Sequence, residues 1–296
     1  MLAQPQARDL IPAFGAEIVG VDPGTWLDDD TVRFLREVFD DRGLLLFRGV
    51  DVDRPHQFYL SELLRGLEPP TPEEAVAGAA AQGKFVISNK EPGAAAPIGR
   101  LLFHCDGMWS DEPFEVLSLY GVEVAPPVIP TLFASSAYGW DTLSGELRAR
   151  VDGLHGLHVS GPEYIHERRR RAYEGELSQA KRDHVPLIAA SVENRHPRTD
   201  RTLLYVSQGM TREIIELGSD ESEDLLEELF EHLYRTEHVY EHEWREGDLI
   251  VWDNFAVQHG RPNVVLEGPA RTFRKIGLPV PTSIETQLVK TYEEVS

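Results

Sequence analysis

The chain has 296 residues, 41% hydrophobic and 27% charged, which suits a soluble globular protein with a sizeable core. A net charge of -21 argues against nucleic acid and anionic membrane as partners, and the single cysteine, Cys105, excludes a disulfide framework. No apolar run approaches the roughly 18–20 residues of a transmembrane helix, and Met1 to Leu10 holds no apolar signal segment, so a cytoplasmic protein is expected.

In chain order, Ala16 to Val21 (AEIVGV) predicts a strand. A helix follows Asp29 and Asp30, whose carboxylates suit an N-cap, and Val32, Leu35, Val38 and Phe39 share one face. Gly43 closes it, and Leu44 to Phe47 is a short buried strand. Residues 68–100 are rich in proline, alanine and glycine. A loop is expected there, above all from Lys90 to Gly99, either as a lid over a site or as plain surface. Phe114 to Val124 and the run from Leu132 read as strands, and Leu143 to Leu154 as a helix.

The basic block Arg168 to Arg171, flanked by Glu167 and Glu174, reads as a solvated helix face rather than a nucleic-acid patch. After Gly218 a helix is predicted, capped by Ser219 or Asp220. Leu225, Leu226, Leu229, Phe230 and Leu233 lie inward and a Glu-rich face outward. A turn at 245–248 leads into the buried strand Leu249 to Trp252, and a final strand pair runs through Arg271 to Leu278. Strands at both ends with helices in two blocks suggest a β-sandwich or barrel wrapped by helices, read as a single domain over 1–296.

His104-Cys105-Asp106 follows the apolar run Leu101 to Phe103. On a strand, His104 and Asp106 would share a face and Cys105 would point away. Two such ligands with a distant third histidine make a facial triad that leaves metal positions open, a geometry suited to non-haem iron(II). With 11 histidines, a His-x-Asp arises about once by chance, so the tripeptide alone decides nothing.

Further along, Trp252-Asp253-Asn254 precedes Gln258-His259-Gly260, and Arg271 follows twelve positions after His259. With Thr131 inside Pro130-Thr131-Leu132-Phe133-Ala134, the chain resembles the taurine dioxygenase (TauD/TfdA-like) family of 2-oxoglutarate oxygenases. That family's signature is His-x-Asp/Glu, then Thr or Ser, a distant His and an Arg. FGAEIVGVD, HPRTDRTLLYVSQGMTREI and WREGDLIVWDNFAVQHG fit as well, so the resemblance runs from about residue 14 to residue 278.

The resemblance implies a mainly β fold, a double-stranded β-helix (jelly roll, cupin-like) flanked by helices. It implies iron(II) on His104, Asp106 and His259, with 2-oxoglutarate and O2 as cosubstrates. The far carboxylate of 2-oxoglutarate would meet Arg271, whose planar guanidinium matches it with two parallel hydrogen bonds, and Thr131 as a second donor. Oxidative decarboxylation to succinate and CO2 would then drive oxidation of an unactivated carbon on a small molecule, with hydroxylation the default. Desaturation, cyclisation or epimerisation are the alternative outcomes, and a non-catalytic metal-binding jelly-roll sensor is the alternative class.

Arg274 also follows His259 closely, but strand alternation puts Arg271, Phe273 and Lys275 on one face and Arg274 on the other. Lys275 falls where taurine dioxygenase carries an arginine for its substrate sulfonate. An anionic substrate group remains compatible, although an ammonium lacks the planar fork. Asn89, Phe103 and Trp109 are candidates for the substrate pocket or for the packing behind it. His238 and His242 would converge as a second metal pair only on a helix. Thr236 to Trp244 reads as a strand, where they would lie roughly 13 Å apart. His155 and His158 read as structural histidines. No phosphate loop or serine nucleophile elbow is present. Substrate identity stays open, and so does oligomeric state, a homo-oligomer included.

Overall fold

The computed structural model describes residues 4–96, 98–173 and 187–279. Pro97 and Glu174, which fall in two of the segments singled out above, lie outside them. The chain opens with strands β1 (Gln6–Asp9) and β2 (Ala16–Val19), then helix α1 (Asp29–Arg42) and β3 (Leu44–Phe47). Helices α2 (Arg54–Leu63) and α3 (Pro72–Ala81) precede β4 (Val86–Ser88), β5 (Gly99–His104), β6 (Val116–Val124) and β7 (Thr131–Ser135). Next come α4 (Ser136–Asp141), α5 (Gly145–Val151), β8 (His155–Val159) and α6 (Glu167–Ala172). Four short strands follow: β9 (Leu187–Ser191), β10 (Glu193–Arg195), β11 (Thr202–Leu204) and β12 (Thr211–Ile214). Helix α7 (Ser219–Leu233) leads to β13 (Val239–His242), β14 (Leu249–Asp253), β15 (Val257–Val264) and β16 (Arg271–Leu278).

Two sheets form the jelly roll. The larger has the order β1-β2-β3-β14-β6-β16-β4 and the smaller β13-β7-β15-β5, antiparallel except for the parallel pair β2 and β3. The continuous apolar run of β3 is explained by covering on both faces. Leu45 and Phe47 pack on Val32, Leu35 and Phe39 of α1 and on α2. Leu44 and Leu46 turn into the space between the sheets with Phe133, Trp252 and Phe273. A separate apolar cluster holds α7 against α5, β11 and β12. No helix among the described residues is long and apolar enough to cross a membrane.

Several local expectations change. Asp28, not Asp29 or Asp30, caps α1 by accepting from the Thr31 N–H at 2.8 Å, and Gly43 ends it at φ 69. Gly218 opens α7 with no side-chain cap, so neither Ser219 nor Asp220 serves. Leu143 to Leu154 is helical only over α5, which Ser144 caps, while Ser135 starts a separate α4 straight after β7. The final strand pair is the single strand β16. Thr236 to His238 is a 3-10 turn, and only Val239–His242 is strand.

The proline- and alanine-rich stretch contains α3, nucleated by a capping box between Thr71 and Glu74, and the short β4. Gly78 is needed there because a Cβ would run into the Phe58 ring. The remainder is fastened to β15 and to the loop between β15 and β16: Lys90 Nζ donates to the carbonyls of Leu266 and Gly268, and Arg261 to those of Ile98 and Gly99.

Candidate metal centre

β5 and β15 are neighbours in the smaller sheet, and His104 and His259 are direct cross-strand partners with ring centroids 4.2 Å apart. β5 ends at His104, so Asp106 does not share its strand face. It comes round on a turn that Gly107 permits at φ 77, and it still converges on the two histidines. Ligand atoms from His104, Asp106 and His259 all lie within 4.8 Å of one another, and no other such group occurs among the described residues. His104 Nδ1 sits 2.7 Å from the Leu102 carbonyl and donates to it, leaving the Nε2 lone pair for the centre.

Electrostatics favour the forms a metal needs at Asp106 and His259. Burial alone would raise the Asp106 carboxyl, but the Lys275 ammonium, then His104 and His259, hold it well below the usual carboxylate range. Burial, and next the His104 ring, press His259 well below its ordinary value, so it is neutral. Lys275 Nζ makes a close ion pair with Asp106 Oδ2 and so stands where a bound cation would neutralise that carboxylate. Two imidazoles and one carboxylate on one rim fit a divalent ion of the iron class.

Arg271, the first residue of β16, is buried with its guanidinium over the Phe273 ring at 4.8 Å. Its Nε has no hydrogen-bond partner among the described residues, and burial pushes the group down to about 10, still charged at neutral pH. A buried guanidinium with an unused donor is costly until an anion meets it. Thr131 opens β7, buried, its Oγ1 accepting from Trp244 Nε1 at 2.9 Å. That bond leaves the hydroxyl proton available. Trp244 packs on Phe273 at 4.6 Å, so Thr131 and Arg271 are linked through two rings.

The other candidates fall out differently. Arg274 faces the opposite side of β16, bonded to Gln57 Oε1 at 2.6 Å and to the Val52 carbonyl. Asn89 spends its amide on the Pro269 carbonyl and the Arg271 N–H, which fixes the backbone of Arg271. Phe103 stacks on Tyr234 at 4.1 Å, and Trp109 is buried just beyond Asp106. His238 Nδ1 reaches the His232 carbonyl, whereas His242 faces Tyr240 and Asp248, so these two do not converge. His155 pairs with Glu216, and His158 with Thr211. A cavity of about 490 Å³ beside Asp111, Glu112, His196 and Asp253 touches none of the three converging residues.

Sequence reasoning passed over two residues. Asn254 binds the backbone of Asp106 on both sides, and Arg261 is a buried guanidinium pushed down by burial and then by the charge of Arg271. The Trp-Asp-Asn and His-Gly-Arg strings were visible, but their partners lie more than a hundred residues away.

The taurine catabolism dioxygenase TauD, TfdA family model matches residues 6–275. Pentalenolactone F synthase of Streptomyces avermitilis is 28% identical over 265 residues, 84% of this chain and 86% of that protein. The alpha-ketoglutarate-dependent 2,4-dichlorophenoxyacetate dioxygenase of Cupriavidus pinatubonensis is 25% identical, covering 86% and 90%. The (S)-phenoxypropionate/alpha-ketoglutarate-dioxygenase of Sphingobium herbicidovorans is 28% identical, covering 86% and 88%. Among solved structures, a taurine dioxygenase from Burkholderia xenovorans superposes with TM-score 0.67 at 24% identity, covering 93% and 91%. AAD-2 in complex with Mn(II) and N-oxalylglycine gives 0.69 at 21%, covering 95% and 100%. Both structures share the fold.

Proposed function

We propose a reaction and a substrate class from one premise: this chain belongs to the taurine catabolism dioxygenase TauD, TfdA family. It is an iron(II)- and 2-oxoglutarate-dependent dioxygenase acting on a small molecule, as the names of its relatives indicate for those proteins. The observation that carries the reading is the convergence of His104, Asp106 and His259 within 4.8 Å. Iron(II) held by these three supplies oxygen activation coupled to decarboxylation of 2-oxoglutarate, and thereby oxidation of an unactivated C–H bond. Hydroxylation is the outcome we assign.

The chain's own residues have three tasks. Arg271 binds the distal carboxylate of 2-oxoglutarate with two parallel hydrogen bonds, and the Thr131 hydroxyl donates a third. Lys275 orients the substrate. Its ammonium lies between Phe85 and Phe114, 5.1 and 5.9 Å from their ring centroids, and among the described residues its ion-pair partner is Asp106 alone. Once a metal shares the charge of Asp106, Lys275 is free to meet a substrate anion, and the flanking rings suit an apolar body. Two relatives are named for phenoxy carboxylates, the chemistry such a pocket would take. We assign the cover of the site to residues 90–96, which follow Asn89, the side chain that accepts from the Arg271 N–H. Their task would be to exclude water.

The test is a screen of small carboxylates and sulfonates with iron(II), 2-oxoglutarate and air, read by succinate. Substrate-dependent succinate matched by oxygen uptake is expected, strongest with carboxylates bearing an apolar body. Absence of succinate above the protein-free rate across the panel, uncoupled turnover included, would overturn the reading.

A further inference from the structure

Asp106 is held differently from the two histidines. His104 and His259 are opposite each other in the β5–β15 ladder, so backbone pairing sets their separation. Asp106 lies past the end of β5, where no ladder reaches it. Both of its backbone polar groups go instead to one side chain. The Asp106 N–H donates to Asn254 Oδ1 at 3.0 Å, and Asn254 Nδ2 donates to the Asp106 carbonyl at 2.8 Å. Nδ2 also donates to the Phe114 carbonyl at 2.9 Å, on the same loop. The buried amide thus directs all three bonds to the segment that carries Asp106.

Asn254 is itself held in a braced turn. Its neighbour Asp253 accepts from the Phe255 and Ala256 N–H groups at 3.0 and 3.2 Å, fixing the link between β14 and β15. The Asp253 carboxylate is buried against His196 Nε2 at 2.9 Å and is paired with Arg198. The same turn leads on to His259 in β15. One short turn therefore touches the Asp106 loop on one side and delivers a histidine on the other.

We propose that Asn254 is a positioning residue that sets the Asp106 carboxylate against His104 and His259, and that His196 and Asp253 act through it by holding its turn. The inference rests on the metal reading given above. Bonds that only shaped the turn would stay within it, as the two that Asp253 accepts from the Phe255 and Ala256 N–H groups do, whereas the Asn254 side chain sends all of its bonds out to the ligand loop.

The test titrates metal-free protein with Mn(II), measuring free ion by electron paramagnetic resonance and the unfolding midpoint alongside. Asn254→Ala and Asn254→Asp are each expected to weaken Mn(II) about 10- to 100-fold, the usual range for partners behind a metal ligand. A carboxylate at 254 cannot donate to either carbonyl, and being isosteric it serves if Asn254→Ala does not fold. In an Asp106→Ala background the same substitutions should have no further effect, because the ligand they position is gone. Equal fold losses in both backgrounds, or wild-type affinity in both Asn254 variants, would overturn the proposal alone. Wild-type affinity in Asp106→Ala itself would overturn the metal reading, and the proposal with it.

Discussion

Arg271 and Arg274 are three positions apart on one strand and meet opposite sides of it, the first over Phe273 and the second against Gln57 and Tyr120. Arg271→Lys keeps the charge but loses one of the two parallel bonds to a carboxylate, so 2-oxoglutarate should bind about 1–3 kcal/mol more weakly. Arg274→Lys should change that affinity little, and calorimetric titration of both variants decides between them. His158 gives a pH effect at the same scale. Fully buried, with Nε2 unpartnered among the described residues, it is pushed by burial from 6.5 down to about 3. The unfolded chain takes up a proton near 6.5 that the folded one refuses until about 3. Its contribution is therefore complete above pH 6.5 and is lost as pH falls toward 3, by about 1.4 kcal/mol per pH unit. Urea unfolding between pH 6 and 4.5 should show a shallower loss of stability in His158→Gln than in wild type.

Helices α6 and α7 show how a charge run can mislead. The block from Arg168 to Arg171 reads as a solvated face, and Arg168 is indeed half exposed beside Asp224. Arg169 turns inward, only 5% exposed, with its Nε 2.8 Å from Glu223, itself 1% exposed at the edge of the apolar face of α7, seven residues before Phe230. Its other nitrogens donate to the carbonyls of Gln208 and Arg212, tying both helices to β12 and the loop before it. Glu223→Ala would strand a buried guanidinium and should cost about 3–5 kcal/mol. Arg168→Ala removes a surface pair and should cost under about 1 kcal/mol. Denaturant midpoints of the two variants test the contrast.

Across the whole molecule, the proposed site draws on residues of both sheets. His104, His259 and Thr131 stand on strands of the smaller sheet, and Arg271 and Lys275 on β16 of the larger. A metal with a dicarboxylate between them should therefore brace the sandwich. Mn(II) with N-oxalylglycine, at one hundred times its Kd, should add about 2.7 kcal/mol to the unfolding free energy. Mn(II) alone should add less at the same concentration, and Arg271→Lys should lose most of the analogue's share. Calorimetric melts with equal rises for metal alone and metal plus analogue would refute a site shared by the two sheets.

The sequence by itself determined the chemical types and their order, His104, Asp106, Thr131, His259 and Arg271, and all of these but Asp106 stand on strands. It also placed Arg271 and Arg274 on opposite faces, because side-chain direction along a strand is a local, period-two property. The tertiary structure alone decided how the groups are held. Asp106 converges from a turn and not from a strand face, clamped by Asn254 at a separation of 148 residues and paired with Lys275 at 169. Glu223 is buried because Arg169 meets it from 54 residues away. Periodicity reports which face of an element is apolar. Whether a charged or amide side chain can leave water depends on partners that only the packed chain brings within hydrogen-bond reach.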